Sequence, residues 1–451
     1  MSMHSRTRSL AVVGGVTAAL LLAACGSGAT PDLGEPGEAD ATSGDDAAVE
    51  GGAATIWAVE SSQSDSYVAA VDRWNADHPD QPIELQLFPD NGYKDKLRVA
   101  LGAGEGPTMI YSWGGGGLEA FVEQDLIESL TDLTADNPEI IERYLPATLG
   151  GVTFDGEVYG APINNMQPVV LLYNEDVFEQ VGAEPPTTWE ELEALVPTFN
   201  EAGIAPLALA GQSKWPELPY LASLLDRVGG PEVFEAIAAN EADSWSDPAV
   251  IESVTMIQDL VRAGGFVENF SSISYESGAA DALLYTGKAA MLVMLSQAYS
   301  NIAKAAPEFA ESGAMGYLPF PEVEGGAGDP ANLSGNPSNY WSVTTAASEE
   351  AKATAVAFLD EQVMNEEYTG EIIARSAVPG VQTAEELIAE SDNEYAAFVF
   401  DLVAQAPNFQ LSLDQALSPA QGEALKTALD QVFLLEITPE QFAETMNATI
   451  E

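Results

Sequence analysis

The sequence is poor in the residues that most enzyme sites and most nucleic-acid surfaces need. Its 451 residues include one cysteine, two histidines and 15 lysines and arginines, against 71 aspartates and glutamates. One cysteine cannot form an internal disulfide, so a fold outside the cell has to rest on the size of its core. The formal net charge of −56 argues against nucleic acid as a partner, because phosphate contacts need clustered basic side chains. It equally disfavours direct adsorption to anionic lipid.

The usual catalytic and metal-binding patterns are also missing. His78 is the only histidine beyond the N-terminal segment, so a serine or cysteine nucleophile has a single conventional base, and a zinc site built on histidine or thiolate lacks ligands. No phosphate-binding loop ending in Gly-Lys-Ser or Gly-Lys-Thr occurs. We therefore expect no catalytic residues, no metal and no other cofactor. Two carboxylates across a cleft could still form a glycosidase, and that alternative stays open.

The first 24 residues have the pattern of an export signal. A short basic stretch with Arg6 and Arg8 precedes the apolar run of residues 10–24, which is shorter than the roughly 20 residues of a membrane-spanning helix. The run ends in Leu22-Ala23-Ala24-Cys25-Gly26, which resembles the lipobox of bacterial lipoproteins. The resemblance implies cleavage before Cys25 and its lipidation, which would anchor the protein on the extracellular face of the cell membrane. The alternative is an ordinary signal peptide with a chance cysteine.

Two kinds of pattern follow the lipobox. Residues 26–54 contain seven acids and no aromatic or basic residue, which predicts that segment 25–54 is a lipidated cysteine and a flexible acidic tether. From Thr55 onward, strand signals alternate with helix signals, and the alternation repeats after Tyr159. Strands that alternate with helices predict an α/β fold with mainly parallel sheets. Two similar halves are the simplest organisation.

Seven short stretches resemble motifs of the extracellular solute-binding protein family 1, the maltose-binding-protein-like proteins of carbohydrate-uptake ABC transporters. The stretches are Ala103-Gly104-Glu105-Gly106-Pro107-Thr108-Met109-Ile110, Trp113-Gly114-Gly115-Gly116, Leu126-Ile127-Glu128-Ser129-Leu130-Thr131, Val158-Tyr159-Gly160-Ala161-Pro162, Leu172-Tyr173-Asn174-Glu175-Asp176-Val177-Phe178, Pro186-Thr187-Thr188-Trp189-Glu190-Glu191-Leu192 and Gly287-Lys288-Ala289-Ala290-Met291. They follow the order of the family, and the resemblance covers most of residues 55–380.

The resemblance implies a two-lobed periplasmic-binding-protein-like fold of type II, with hinge crossovers between lobes that each hold a mainly parallel sheet flanked by helices. One lobe would take residues 53–162 and 343–380, and the other residues 163–342 and 381–451. The protein would be a monomer that captures a sugar, with an oligosaccharide favoured, and delivers it to the permease subunits of an ABC importer. The alternatives are an extracellular glycosidase and a binding protein for a peptide, a polyamine or an anion.

A sugar site combines aromatic platforms with hydrogen-bonding side chains in a cleft. On the family's pattern, the candidate ligand-binding residues are Glu60, Ser61, Ser62, Trp113, Gly114, Gly115, Asn164, Asn165, Gln167, Tyr173, Trp215, Gln297, Tyr299 and Trp341. Several have a structural alternative: Glu60–Ser62 could cap the following helix, and Tyr173 and Trp341 could belong to the core. Gln297 stands where some relatives carry a tryptophan, and Arg375 could contact a ligand or pair with acids.

The excess of acids has two interpretations, a well-solvated secreted surface or adaptation to high salt. Under the second, the melting temperature should rise between low and molar salt, because salt screens the repulsion among the carboxylates. Thermal unfolding in increasing sodium chloride measures this. An unchanged melting temperature would exclude adaptation to high salt.

Overall fold

The computed structural model describes residues 53–61, 63–89 and 92–450. The predicted export signal, Cys25, the predicted tether up to residue 52 and Ser62 lie outside the described residues. No helix in the described ranges is both long enough and apolar enough to cross a membrane.

Within the described residues, fourteen strands form. In chain order they are β1 (Ala54–Val59), β2 (Ile83–Phe88), β3 (Met109–Ser112), β4 (Thr153–Phe154), β5 (Glu157–Val158), β6 (Ala161–Pro162), β7 (Asn165–Asn174), β8 (Ala205–Leu207), β9 (Ala289–Leu295), β10 (Met315–Pro319), β11 (Leu333–Asn336), β12 (Tyr340–Val343), β13 (Val378–Pro379) and β14 (Phe409–Leu411).

The described chain also forms twenty-one α-helices. They are α1 (Ser64–Asp77), α2 (Tyr93–Ala103), α3 (Gly115–Val122), α4 (Leu130–Leu133), α5 (Glu139–Glu142), α6 (Pro146–Leu149), α7 (Glu175–Val181), α8 (Trp189–Ala202), α9 (Leu218–Gly229), α10 (Pro231–Ala238), α11 (Pro248–Arg262), α12 (Ala279–Tyr285), α13 (Gln297–Ala305), α14 (Pro307–Glu311), α15 (Glu349–Glu361), α16 (Glu366–Ala374), α17 (Ala384–Glu390), α18 (Glu394–Gln405), α19 (Leu413–Ala416), α20 (Pro419–Phe433) and α21 (Pro439–Asn447).

Local sequence signals set several of these boundaries. Helix α8 begins with a capping box, in which the Thr188 hydroxyl accepts from the Glu191 amide at 3.1 Å and the Glu191 carboxylate accepts from the Thr188 amide at 3.3 Å. The two residues satisfy amide groups that the first turn of a helix leaves without partners. The helix ends before Gly203, whose φ of +74° suits glycine.

The first sheet has the strand order β2-β1-β3-β12-β6. Strand β1 is parallel to both β2 and β3, as the alternation of strands and helices predicts. Strand β12 comes from much later in the chain and is antiparallel to β3 and β6. A segment that returns from the second sheet therefore supplies the strand between β3 and β6.

The second sheet has the strand order β14-β11-β7-β9-β8, with β10 and β13 also paired to β7. Strand β7 is antiparallel to β9, β10, β11 and β13. Parallel pairing is limited to β8 with β9 and β11 with β14. The predicted α/β class is confirmed, but the prediction of mainly parallel pairing is wrong for this sheet, because the long strand that enters from the first sheet runs against its neighbours.

The buried side chains form two hydrophobic clusters. The first lies on the first sheet and centres on Trp74, Trp341 and Phe358, although it also reaches α12, α13, α17 and α18. The second lies around β9 and the helices of the second sheet, and it includes Trp189 and Phe433. The first cluster also contains Val170, Leu172 and Met294 on one face of the second sheet, so it spans both sheets, and the second cluster covers the other face of the second sheet.

The two sheets are joined by segments that contact one another. The β6–β7 segment and the β11–β12 segment are paired by a bond from the Ile163 amide to the Asn339 carbonyl at 2.8 Å. Tyr368 of α16 donates its hydroxyl to the Ile163 carbonyl at 2.9 Å. Strand β13 then pairs with the start of β7, placing Val378 opposite Met166. The passages between the sheets thus converge at one place.

Candidate functional site

Trp113 directly follows β3, and its side chain is half-buried. Its ring packs edge-on against Tyr111 at 5.1 Å and Tyr93 at 6.0 Å between centroids. The Lys94 ammonium lies 4.5 Å from the ring centroid, a distance at which a cation is attracted to the face of an indole. Trp113 is therefore held in orientation by aromatic neighbours, and a cation lies over its ring.

The glycines after Trp113 have conformations and contacts that other residues would not tolerate. Gly114 and Gly115 have φ values of +74° and +58°, which favour glycine. A side chain at Gly114 would place its first carbon 2.5 Å from the Gly151 carbonyl oxygen and 2.9 Å from the Tyr340 ring. The run lets the backbone approach other parts of the protein closely, and its predicted contact with a ligand stays a prediction.

A second aromatic group lies at Trp215. Its half-buried ring packs edge-on against Tyr275 at 4.5 Å between centroids. Asn301 donates an amide hydrogen to the Tyr275 hydroxyl at 3.2 Å, and the Gln297 side chain lies near enough to lower the pKa of this hydroxyl. Burial raises the pKa of Tyr275 to about 12, so the hydroxyl stays protonated. Trp215 and Gln297, both predicted from the sequence, are thus brought together through Tyr275, which the sequence analysis missed.

Tyr299 lies on α13, two residues beyond Gln297. Its ring stacks on Tyr395 with centroids 3.8 Å apart and an interplanar angle of 8°, and Tyr317 packs edge-on at 6.0 Å. One face of Tyr299 is therefore already covered by protein. Residues two apart on a helix do not share a face, so Gln297 and Tyr299 point into different surroundings.

The predicted amides Asn164, Asn165 and Gln167 are all buried where the chain passes to the second sheet. Asn164 donates its side-chain amide to the Asn339 side-chain carbonyl at 2.9 Å, which links two passages. The Gln167 amide reaches the Asn165 side-chain oxygen only at 3.4 Å. Asn164 is thus committed to the crossover, whereas Asn165 and Gln167 have long bonds.

The loop after β1 is exposed at Glu60 and Ser61. The Ser61 hydroxyl accepts from the Gln63 amide at 3.2 Å, and the Ser64 hydroxyl accepts from the Ser61 amide at 2.8 Å. These bonds shape the turn into α1, but the residue at the start of the helix is Gln63 and no side chain caps it, so the capping alternative is wrong for Glu60 and Ser61. They leave the Glu60 carboxylate free to face solvent or a ligand.

Two candidates lie in packed surroundings apart from these groups. Tyr173 donates to Glu175 at 3.0 Å, and its ring fills the space over Gly316. It is eight residues beyond Asn165 on β7, or about 27 Å at about 3.4 Å per residue. Trp341 is completely buried between Tyr67 and Phe358.

Arg375, the remaining uncertain residue, donates to the Ser66 hydroxyl of α1. Its guanidinium therefore ties the segment before β13 to the first helix.

Glu217 is a buried acid two residues from Trp215. Its side chain has no exposed surface, and neither carboxyl oxygen has a hydrogen-bond partner among the described residues. Burial, together with the negative charge of Asp430, raises the pKa of Glu217 to about 9, and the Lys214 ammonium only partly opposes this. Glu217 is therefore neutral at neutral pH. In the sequence it resembles any surface acid, so no signal could have revealed it.

The surroundings of His78 are those of a structural residue. His78 stacks on Trp74 with ring centroids 3.7 Å apart, and its Nε2 lies 3.5 Å from Glu361. Over the described ranges, no group of three or more histidine, cysteine, aspartate or glutamate side chains is arranged to hold a metal ion. His78 thus occupies the structural position at the end of α1 that its sequence context predicts.

The chain is similar to known binding proteins along most of its length. The family described as bacterial extracellular solute-binding protein matches residues 60–362. An uncharacterized ABC transporter extracellular-binding protein of Pyrococcus horikoshii is 23% identical over 248 residues, 53% of this chain and 54% of that one. A "probable sugar-binding periplasmic protein" of Brucella melitensis is 29% identical over 217 residues, 46% and 48% of the two chains. This chain thus spans about half the length of these curated relatives.

A solved structure from work on xylan utilization by the thermophilic bacterium Caldanaerobius polysaccharolyticus is similar over the whole fold. It has a TM-score of 0.78 and 26% identity, and the match covers 88% of this chain and all of that one. The arrangement of sheets and crossovers is therefore that of a type II periplasmic binding protein.

Stability should depend on pH through Glu217. The folded state keeps the proton up to about pH 9, whereas a glutamate of ordinary pKa 4.5 in the unfolded chain loses it far earlier. The contribution of Glu217 to the free energy of unfolding is therefore full below pH 4.5, falls between pH 4.5 and about pH 9, and is lost above about pH 9. Between these pH values the free energy of unfolding of the parent falls by up to about 1.4 kcal/mol per pH unit, and Glu217→Gln should not show this fall.

Urea unfolding at several pH values between 5 and 9 measures this slope. Glu201→Gln, at the exposed end of α8, is the matched control and should keep the slope of the parent. Equal slopes in the parent and Glu217→Gln would show that Glu217 is ionised in the fold.

Proposed function

The chain belongs to the bacterial extracellular solute-binding proteins, and on that premise we propose that it captures a sugar between two lobes and delivers it to the permease of an ABC importer. The protein acts as a monomer anchored outside the cell through Cys25. An oligosaccharide is the favoured ligand, because each additional sugar ring needs a further platform and the chain has more than one half-buried aromatic group.

Trp113 is the observation that carries the proposal. It stands at the end of a strand of the first sheet, in a segment of glycines, with its ring oriented by Tyr93 and Tyr111. Indole faces suit the apolar C–H faces of sugars. The Trp215 group of the second sheet supplies what sugar hydroxyls need, since amides of Gln297 and Asn301 lie beside an aromatic pair.

The lobes that we propose follow the sheets at their first boundary. Residues 53–162 and 343–380 form the first lobe, and residues 163–342 and 381–451 form the second. The first sheet draws its first strands from residues 54–162 and the second sheet begins with β7 at residue 165, which supports a division near residue 162. The later boundaries differ from the sheets, because β12 begins at Tyr340 in the first sheet and β13 pairs with β7 of the second. The crossovers at Ile163 and Asn339, bonded at 2.8 Å, form the hinge.

The protein binds its sugar without breaking a bond. Catalysis by a glycosidase needs an acid and a second carboxylate on opposite sides of the bond that is cleaved. Glu217, the acid with the strongly raised pKa, has Lys214 and Asp430 beside it, and these two form an ion pair at 3.4 Å. Glu217 itself is fully buried, with Asp430 of α20 beside it, so we assign it a structural role.

The proposal is tested by screening xylo-, arabino-, chito- and malto-oligosaccharides, and their monosaccharides, by thermal shift, because a ligand that binds only the folded state raises the melting temperature. Calorimetry of the hits and chromatography of the recovered sugar follow. The expected result is tight binding with the sugar recovered intact. If no sugar shifts the melting temperature, a peptide, polyamine or anion is the ligand, and if the sugar is cleaved, the protein is a glycosidase.

Replacing Trp113 by alanine should weaken binding of the oligosaccharide hit about thirtyfold, since a buried tryptophan contact contributes about 2 kcal/mol or more. Trp57→Ala is the matched control. Trp57 is also half-buried in the first sheet with a lysine 4.7 Å over its ring, but it is not a candidate for the site. Calorimetry should give the control the affinity of the parent, and an unaltered affinity in Trp113→Ala would remove Trp113 from the site.

A further inference from the structure

The first residues of α3 lie against the backbone of a segment 300 residues later in the chain. A methyl group at Gly115 would lie 2.0 Å from the carbonyl oxygen of Gln415, and one at Gly116 would lie 2.6 Å from that of Leu417. Real methyl groups are not found so close to backbone oxygens. At Gly117, the next residue of the same helix, no atom lies within 4 Å of the added methyl.

The two segments belong to different sheets. Helix α3 follows β3 of the first sheet and buries Leu118 in the first hydrophobic cluster. Helix α19 follows β14 of the second sheet and buries Leu413 and Leu417 in the second cluster. The contact therefore joins two segments whose side chains are buried in different clusters.

The contact is also of an unusual kind, because backbone meets backbone and no side chains interlock. Leu411 of β14 adds the edge of its side chain, which would lie 2.9 Å from a methyl at Gly115. Lys94 of α2 and Asp414 of α19 attract each other beside it. A contact made by bare backbone can form and separate without any side chain having to change its rotamer.

We propose that Gly115 and Gly116 are the stop at which the two lobes meet when the protein closes over a ligand at Trp113, so that their missing side chains set the closed geometry and, through it, the affinity. The inference rests on the proposed function, since it supposes closure around a ligand. Gly115 and Gly116 act here as positioning residues, because they touch the opposite lobe at the edge of the site and not the ligand.

The test compares Gly116→Ala with Gly117→Ala. Both changes add one methyl to the same helix and gain the same helix propensity, about 0.5–1 kcal/mol, but only the first meets the opposite backbone. Spin labels are placed at Val99→Cys on α2, which is 68% exposed, and at Glu423→Cys on α20, whose side chain is 72% exposed. Cys25→Ser in every variant leaves only these two thiols, and pulsed dipolar spectroscopy gives the distance between the labels.

In Gly116→Ala we expect the short distance between the two labels, which marks the closed state, to be lost both without ligand and with xylotriose. The dissociation constant for xylotriose should rise about tenfold if the population of the closed state falls to about one tenth. Gly117→Ala should match the parent in both measurements. A distance distribution and an affinity like the parent's in Gly116→Ala would overturn the proposal. So would a large fall in melting temperature at an unchanged distance, because the contact would then belong to a static core.

The two proposals can fail separately. If xylotriose and every other sugar leave the parent unchanged, the proposed ligand is wrong, and the distances measured without ligand still decide whether the glycines act as a stop.

Discussion

The pairing of the two short segments that carry the chain between the sheets is the constraint on which the rest of the structure depends. The Ile163 amide donates to the Asn339 carbonyl at 2.8 Å, and the Asn164 side-chain amide donates to the Asn339 side-chain oxygen at 2.9 Å. Buried amides need such partners, because leaving one without a partner costs about 1–3 kcal/mol. On the hinge that we propose, motion between the lobes turns about this pair, and the turn sets the positions of Trp113 and Trp215 relative to each other.

Features that depend on residues close together in the chain could be predicted from the sequence, whereas features that depend on residues far apart in the chain could not. The α/β class could be predicted, since each strand or helix signal lies in a short segment and the signals alternate along the chain. The role of Tyr275 could not, because it depends on contact with Trp215, 60 residues away in the chain. Asparagine and glutamine are poor strand formers, yet β7 begins at Asn165. Pairing with β11 and β13 overrides the local preference there.

The basic side chains of this protein are few, and one of them lies against Trp113. In a chain with a formal net charge of −56, a base is informative wherever it stands, and most of the described ones lie next to carboxylates, as Arg143 does with Asp360. Lys94, which also attracts Asp414, lies over the ring of Trp113. In the sugar site that we propose, a sugar ring that stacks on the same face has to displace this ammonium, giving up a cation–π contact of about 0.5–1 kcal/mol at an exposed position.

The two roles that we propose, selection of the ligand and control of closure, are assigned to different residues. Aromatic faces and amides would select the ligand through direct contact. The glycines at the start of α3 would set how far the lobes approach, because they lack side chains. Since apparent affinity is the product of intrinsic affinity and the population of the competent state, a change at either place alters binding, but only a change at the first alters which sugar is preferred. Of the four consecutive glycines after Trp113, Gly114 lies against Gly151 and Tyr340, Gly115 and Gly116 would serve closure, and Gly117 has neither role.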